Sequence, residues 1–389
     1  MCASHVKLFG LLLLALPVRA AERPLLGASV YGALGGFAEP KAQLAKLTAA
    51  GFRLVSFVPT YPYVDSDRID FSGGPSWQNL ENAVGLALSS GFSVILKPHL
   101  DPPAYVTGYK PPKGAKLGGH AGASWRGSFE LDPMCEDYSE GLILRSLEML
   151  QAVFYRQMSS AAPVRLELGA ELLTSEVSHP QRWAELLEFA RRERKRLGLE
   201  GRVLFSHNFA HHFEIAKDEV GRLTPEGRKA LARYIKGLDG LALSQYMDLT
   251  IAVPAAERET RRPMPEEIAR ALVLHEQAFR RDILEGALGL TTTEIPPLHI
   301  GEFGVGSGGL KAPNLWAELG TPEREKKLAE EIALGHQGLA RYLAGSAGRT
   351  ALDAVLWDVG PHYDVFGWAN ASQAIPAAAA ADRAYLSGR

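Results

Sequence analysis

The stretch Val164–Ala190 reads VRLELGAELLTSEVSHPQRWAELLEFA and contains a β-rich run followed by a helical pattern. Val164–Ala170 is short and mostly apolar, which is typical of a buried strand. Ser178 then reads as an N-cap with Pro180 near the first helical turn, where proline is favoured. The apolar residues that follow share one helical face: Trp183, Leu186, Leu187 and Ala190. The stretch therefore predicts one βα unit.

The same alternation recurs along the whole chain. Eight runs are candidate strands: Leu25–Tyr31, Arg53–Thr60, Phe92–His99, Val164–Ala170, Arg202–His207, Leu241–Tyr246, Leu298–Phe303 and Ala354–Asp358. Further helix starts lie at Thr321-Pro322-Glu323 and at Pro265. Eight βα units in one chain predict an α/β fold, a single (β/α)8 TIM barrel.

An open doubly wound sheet is the less favoured architecture. Such sheets usually carry a glycine-rich phosphate turn after the first strand, and residues 32–36, GALGG, lack the G-x-G-x-x-G spacing. In a barrel, chemistry collects at the carboxyl ends of the strands. Three long segments follow such ends, at 101–137, 247–263 and 304–320, and we expect them to wall a cleft on that face.

The ends and composition of the chain bound its function class. The 389 residues carry 42 Lys plus Arg against 44 Asp plus Glu, a net charge of −2 without a basic block, which argues against nucleic acid as a partner. Residues 1–20 follow the secretory pattern, with Lys7, the apolar run Leu8–Leu16 and the exit Val18-Arg19-Ala20. A buried N-terminal helix is the alternative. We expect one catalytic domain over 21–389, secreted or periplasmic and not inserted in the membrane after leader cleavage.

Cysteine and histidine usage gives no support to a metal site. Cys2 lies in the leader, so Cys135 alone remains, and a single thiol makes no intramolecular disulfide. The histidine-rich segment His207–His212 lacks the H-E-x-x-H and two-His-one-carboxylate spacings. We therefore expect no metal and no cofactor, and we interpret His207 or Asn208 as a polar contact at the rim. Ser-His-Asp catalysis lacks a G-x-S-x-G motif.

Two glutamates lie where predicted strands end. The fourth strand ends in LGAE at Glu171, and the seventh ends in IGEFG around Glu302. Packing explains neither residue, because glutamate is costly to bury unpaired and has low strand propensity. On opposite sides of a barrel mouth they would form the carboxyl pair of a glycosidase, one acid and one nucleophile or base. The alternative is that each forms a structural ion pair with Arg or Lys at the rim.

Aromatic and polar side chains also gather at the predicted strand ends. The aromatic residues near the rim, which can stack on sugar rings, are Tyr61, Trp125, Tyr246, Trp357, Tyr363 and Trp368. Core packing is the alternative for Trp357 and Trp368. Lys97 and His99 have the same parity, so a regular strand points both to one side. They can bind sugar hydroxyls, although an ion pair between Lys97 and a nearby acid is equally compatible with the pattern.

Several of these stretches together resemble glycoside hydrolase family 113. The matching stretches are Phe57–Tyr61 (FVPTY), Lys97–His99 (KPH), Ser124–Gly127 (SWRG), Gly169–Leu172 (GAEL), Gly301–Gly304 (GEFG) and Phe366–Trp368 (FGW). They run with gaps from about Leu25 to Ala380, in the expected order. The resemblance implies a clan of retaining (β/α)8 glycosidases and β-mannan hydrolysis.

The resemblance also implies roles for individual residues. Glu171 would be the acid/base and Glu302 the nucleophile, with Trp125 and Arg126 reaching the cleft from the loop after the third strand. Tyr246 matches the clan's tyrosine beside the nucleophile, and Trp357 matches its eighth-strand tryptophan. Arg126 and Tyr246 would keep Glu302 charged, whereas Glu171 needs a raised pKa.

One position departs from the clan's pattern. Many members place Asn immediately before the acid/base, and this chain has Ala170. Asn208 or His99 can replace the lost contact to the sugar, or the substrate differs. The sequence thus predicts a retaining glycosidase for a β-linked polysaccharide, most simply β-mannan, acting as a monomer. The alternatives are a glycosidase for another cell-wall or exopolysaccharide glycan, and a carbohydrate-binding barrel without catalysis.

Overall fold

The regular structure begins at Leu26 and alternates parallel strands with helices. The computed structural model describes residues 23–388 except 35, 104–105, 107–109, 111–125, 158–161, 211–212, 248, 259, 306–321, 346–352, 358–364, 367 and 369–373. Its strands are β1 Leu26–Gly32, β2 Leu54–Asp65, β3 Arg68–Ile69, β4 Ser93–Leu96, β5 His99–Asp101, β6 Val164–Ala170, β7 Val203–Phe209, β8 Gly240–Met247, β9 Leu298–Val305 and β10 Ala354–Leu356.

Helices connect most successive barrel strands. The α-helices in the described residues are α1 Pro40–Ala50, α2 Trp77–Ser89, α3 Arg145–Arg156, α4 Leu173–Ser178, α5 Pro180–Arg196, α6 Phe213–Arg222, α7 Pro225–Lys236, α8 Pro265–Ala278, α9 Pro322–Gly345 and α10 Pro376–Ser387. Two π-helical segments adjoin them, Asp137–Leu144 before α3 and Phe279–Ala287 after α8. No helix among these described residues is long and apolar enough to cross a membrane.

The sheet closes on itself. Its order is β1-β10-β9-β8-β7-β6-β4-β2, with every neighbour parallel, and β1 also pairs with β2. The short β3 returns antiparallel to the end of β2, and β5 extends the β4 direction beside it. This is the predicted eight-stranded parallel barrel, and all eight predicted strands are confirmed within a few residues at their ends.

Two layers of apolar packing support the barrel. Between strands and helices lies the main core, where side chains such as Trp183, Phe205 and Phe279 are almost fully buried. A small inner cluster joins Leu54, Ile95 and Val355. Those three residues come from β2, β4 and β10, three neighbouring parts of the barrel wall.

The predicted start of α5 is wrong in one detail. Ser178 is the last residue of the short helix α4 and caps nothing; the chain restarts at Pro180 after His179. Helix α4 forms because it is anchored from outside: the Ser175 hydroxyl donates to the Leu131 carbonyl oxygen at 2.6 Å. Of the predicted long loops, the segment between β8 and α8 contains two short 3-10 turns, Leu249–Ala252 and Ala255–Glu257. Residues 306–321 lie outside the described part.

Candidate active site

Glu302 enters the barrel mouth through an irregularity in β9. The pairing of β8 with β9 shifts register there, because Leu243 faces Ile300 whereas Ser244 faces Glu302. The extra residue is Gly301, and such bulges re-aim the following side chain. A Cβ atom on Gly301 would lie 2.2 Å from Asn208 Oδ1, so only glycine fits at this position.

Four side chains surround the Glu302 carboxylate. Lys97 Nζ and His99 Nε2 lie 3.2 and 3.1 Å from Oε1. Tyr246 donates its hydroxyl proton to Oε2 at 2.6 Å, and the Asn208 amide donates to Oε1 at 3.4 Å. The predicted contact of Tyr246 with Glu302 is therefore present. Lys97 forms an ion pair with a neighbouring acid, which was the alternative to its binding a sugar hydroxyl.

These neighbours keep Glu302 ionised. Burial alone raises the pKa of the Glu302 carboxyl, but the Lys97 ammonium and the hydrogen bond with His99 outweigh it and hold that pKa well below its usual range. Burial, and then the charge of Arg126, lower the pKa of His99 to about 4. His99 is thus neutral near pH 7, with its Nε2 3.1 Å from Glu302 Oε1.

Glu171 stands at the end of β6 in a conformation that few residues adopt. Its φ angle is 58°, in the left-handed region, and its backbone N–H donates to the Asn208 carbonyl oxygen at 2.7 Å. Strained backbone of this kind is concentrated at functional sites. Burial, and then the charge of Glu302, raise the pKa of the Glu171 carboxyl to about 7, against the opposing effect of Arg126. Below about pH 7, Glu171 therefore holds a proton that Glu302 does not.

Arg126 bridges two carboxylates at the mouth. Its Nη1 donates to Glu171 Oε2 at 2.8 Å, while Nε and Nη2 donate to Asp101 Oδ1 at 2.9 and 2.7 Å. Tyr31 donates to the other Asp101 oxygen at 3.1 Å. The charge of Arg126 helps to lower the pKa of the Glu302 carboxyl, as expected, although the guanidinium forms its hydrogen bonds with Asp101 and Glu171.

The predicted aromatic residues divide between the site and the core. Trp357 stacks on His99 with ring centroids 5.5 Å apart and lies edge-on to Tyr31. Tyr61 is fully buried and packs against Phe71 and Trp77, which favours a role in the core over the predicted substrate contact. Trp77, the first residue of α2, stacks on Tyr61 and covers that side of β2.

Of the remaining predicted rim aromatics, Trp368 lies within the described part of the chain. Trp368 is partly buried and stacks on Phe366, with ring centroids 4.6 Å apart, which fits its core alternative. Trp125 and Tyr363 lie outside the described residues.

His207 also faces away from the site. Its Nε2 lies 2.7 Å from Glu176 Oε1 and its Nδ1 2.9 Å from the Tyr234 hydroxyl, in the layer between barrel and helices. Because side chains alternate along a strand, Asn208 then faces inward and His207 outward. This position favours Asn208, rather than His207, for the predicted polar contact. His211 and His212 lie outside the described part, and within that part no group of three His, Cys, Asp or Glu residues is arranged to hold a metal ion.

Sequence reasoning missed Asp101 and Glu167. Asp101 shares the parity of Lys97 and His99, and that alternation was the available signal. Glu167 lies on β6, four residues before Glu171. It is fully buried inside the barrel, and its Oε2 lies 3.5 Å from Lys97 Nζ. An acidic residue in a strand whose other residues are apolar except Arg165 was visible in the sequence, but only the closed barrel brings it to Lys97.

Comparison with known proteins gives a likeness in structure. No family model matches the sequence, and no curated protein matches it at a significant level. A solved structure of a GH113 β-1,4-mannanase is 17% identical with a TM-score of 0.57, covering 95% of this chain and 100% of its own. A GH113 β-mannanase from Alicyclobacillus acidocaldarius is 16% identical with a TM-score of 0.53, covering 94% and 98%. At such identities the likeness is one of fold, and the chain has the (β/α)8 barrel found in glycoside hydrolase family 113.

Proposed function

We propose that this protein is a retaining glycoside hydrolase acting on a β-linked polysaccharide. The supporting observation is a pair of glutamates at the barrel mouth, on β9 and at the end of β6, with opposite protonation preferences. Glu302 is held ionised by Lys97, and Glu171 has a pKa of about 7. A pair whose environments separate the two pKa values is what acid and nucleophile roles require.

The two residues would act in two steps. A Glu302 oxygen attacks the anomeric carbon while the bond from that carbon to the glycosidic oxygen breaks, and Glu171 gives its proton to the departing oxygen. Glu302 is then an uncharged ester. Water next attacks the same carbon, Glu171 takes a proton from that water, and Glu302 leaves as a carboxylate.

β-Mannan is the first substrate to test, because the similar folds include enzymes described as β-1,4-mannanases. Asn208 stands in register with Ala170 on the neighbouring strand, and its amide reaches Glu302. It is therefore suited to contact the sugar near the anomeric carbon, the role that Asn before the acid/base has elsewhere in the clan. A different cell-wall or exopolysaccharide glycan is the second candidate, favoured by Ala170 itself.

A carbohydrate-binding barrel without catalysis is the rival from another class. The ion pair of Arg126 with Glu171 favours it, because a carboxyl tied to a guanidinium is less ready to hold a proton. Release of reducing sugars separates the two functions, since binding alone produces none.

The proposal includes export. The predicted leader, residues 1–20, lies outside the described residues, and we propose that the protein acts outside the cytoplasm as a secreted or periplasmic monomer. Polysaccharide is its proposed partner, with no nucleic acid, metal or cofactor. Sequencing the amino terminus of the protein recovered from its native host tests the leader: a start after Ala20 or Ala21 supports export.

The activity test uses a panel of β-linked polysaccharides that includes β-mannan. We expect reducing ends from at least one member with the parent protein and none above background with Glu302→Gln. The surface variant Glu188→Gln, whose carboxyl is 58% exposed, is the matched control and should keep full activity. Near-parent activity in Glu302→Gln contradicts the assignment.

A further inference from the structure

A second group of buried charges lies below Glu302 inside the barrel. Lys97 follows β4, and Glu167 and Glu302 come from β6 and β9, so their contacts cross the barrel interior. Lys97 Nζ is 3.2 Å from Glu302 Oε1, 3.5 Å from Glu167 Oε2 and 2.8 Å from the Gly301 carbonyl oxygen. Both carboxyl groups and the ammonium have side-chain exposures of 1% or less. One ammonium thus stands between two carboxyl groups.

The two carboxyl groups are not equivalent. Glu302 also has His99, Asn208 and Tyr246 within hydrogen-bonding distance. Neither oxygen of Glu167 has a hydrogen-bond partner among the described residues. An ionised carboxylate that is buried without hydrogen bonds is energetically costly. Of the two carboxyl groups, Glu302 is therefore the one that carries the negative charge paired with Lys97.

The other charged and titratable groups around Glu167 do not replace Lys97. Arg165, on the same strand, lies 3.8 Å from its own partner Asp353. His299 Nε2 on β9 is 3.6 Å from Glu167 Oε1, but burial holds the pKa of His299 well below its usual range, so it is neutral. His207 on β7 faces outward to Glu176. Burial, and then Glu302 against the effect of Lys97, leave the pKa of Glu167 at about 7.

We propose that Glu167 is a positioning residue that alternates with Glu302 as the partner of Lys97. Glu167 is neutral while Glu302 is a free carboxylate, and it becomes the counter-charge of Lys97 when Glu302 is esterified. This inference rests on the proposed function, because esterification is the step that removes the charge of Glu302.

The proton balance of the exchange is simple. When Glu302 bonds to the anomeric carbon, its negative charge disappears and Lys97 would remain as an uncompensated buried cation. Glu167 then releases one proton to solvent and becomes a carboxylate beside Lys97. When water hydrolyses the ester, Glu302 regains its charge and Glu167 takes one proton back. Lys97 thus has a carboxylate partner both in the free enzyme and in the glycosyl-enzyme.

The test needs no substrate, because Glu302→Gln imitates the uncharged ester. The carboxylic-acid C=O stretch is followed by infrared difference spectroscopy during a pH titration. The background variant is Glu171→Gln, since Glu171 also titrates at about 7. In that background we expect the signal of one buried carboxylic acid, Glu167. Its titration midpoint should lie near the pKa of about 7 that its surroundings give it. Adding Glu302→Gln should lower this midpoint by about one pH unit or more.

Two further variants complete the design. Glu167→Gln in the same background should abolish the signal, and Lys97→Met should raise its midpoint, because the nearest cation is removed. A signal that survives Glu167→Gln, a midpoint that is unchanged by Glu302→Gln, or the absence of any such signal would overturn the proposal. Thermal unfolding of each variant verifies its fold. A protein that shows the coupled titration but hydrolyses no glycan would instead contradict only the proposed function.

Discussion

At the scale of single residues, the protonation of the glutamate pair depends on a few directed contacts. Tyr246 holds one oxygen of Glu302 at 2.6 Å, while Lys97 and His99 hold the other. Arg126 holds Glu171 and is itself held by Asp101. The contacts come from β5 and the residues around it, from β8 and from the turn at Arg126, so the site is assembled only by barrel closure.

The Tyr246 contact gives a first prediction. Tyr246→Phe should lower kcat by about 10- to 100-fold, since losing a hydrogen bond to a charged group costs about 1.5–3 kcal/mol and frees the nucleophile to turn. The acid limb of the pH profile should also move to higher pH, because the charged form of Glu302 loses a donor. Steady-state kinetics over pH measure both effects.

Tyr61→Phe is the matched control for that variant. The Tyr61 hydroxyl is buried without a hydrogen-bond partner among the described residues, so its removal should leave kcat unchanged. The unfolding free energy should stay equal or rise by up to about 1 kcal/mol, because an unsatisfied buried group is lost. A large fall in kcat for Tyr61→Phe would show that the Tyr61 hydroxyl takes part in the reaction or in substrate binding.

The pH dependence follows from Glu171. Its pKa of about 7 means that the general acid keeps its proton below that pH, so kcat/KM should fall as the pH rises through about 7. Arg126→Gln should move this limb to higher pH, because the Arg126 charge lowers the pKa of Glu171. Arg182→Gln, which breaks a pair with Asp132 on the surface, is the control and should not move the limb. A limb that stays in place without Arg126 would show that another group controls it.

At the scale of elements, sequence patterning predicts the barrel strands well and their irregularities poorly. The apolar runs and the proline helix starts are local signals, so the eight barrel strands and the start of α8 follow from them. The register shift at Gly301 and the left-handed turn at Glu171 depend on the neighbouring strands. The alternation of side chains along a regular strand therefore correctly places Lys97 and His99 on the same side. It does not predict which carboxylates Arg126 binds.

The bulge in β9 can be tested directly. Gly301→Ala places a Cβ atom 2.2 Å from Asn208 Oδ1 and 2.7 Å from Ala242 Cβ, so Asn208 and Glu302 must move. We expect kcat to fall at least about 100-fold, since a shift of about 1 Å can cost that much. The melting temperature should also fall, because overpacking costs about 1–3 kcal/mol. Activity assays and thermal unfolding measure the two effects.

Gly240→Ala is the control on the neighbouring strand β8. A Cβ atom there meets Pro297 and Ser206 at 3.7 and 3.9 Å, which are ordinary contact distances. This variant should keep its activity and most of its stability. Equal losses in both variants would mean that strand glycines in general, rather than the bulge, are sensitive.

At the scale of the whole molecule, the last helix fastens the closed barrel. Helix α10 carries Asp382, whose Oδ2 lies 2.9 Å from His336 Nδ1 on α9, with both side chains almost fully buried. On the same helix, the Tyr385 hydroxyl donates to the Pro24 carbonyl oxygen at 2.7 Å, just before β1. The first contact joins α10 to α9, and the second joins it to the residue two positions before β1.

Asp382→Ala should therefore destabilise the protein without changing its chemistry. Removing one partner of a buried pair costs about 3–5 kcal/mol, and we expect the free energy of unfolding to fall by about 3 kcal/mol. The value of kcat at low temperature should stay unchanged. Arg262→Ala, which removes an exposed pair with Glu330, should cost about 1 kcal/mol or less. Denaturant unfolding compares the two variants.

The central claim is that Glu171 and Glu302 hydrolyse a β-linked glycan with retention of configuration. Nuclear magnetic resonance of the first product, recorded before mutarotation, measures this directly on the panel polysaccharide that releases reducing ends. The account predicts that the new reducing end appears first as the β anomer. A product that appears first as the α anomer, or no hydrolysis of any member of the panel, would contradict it.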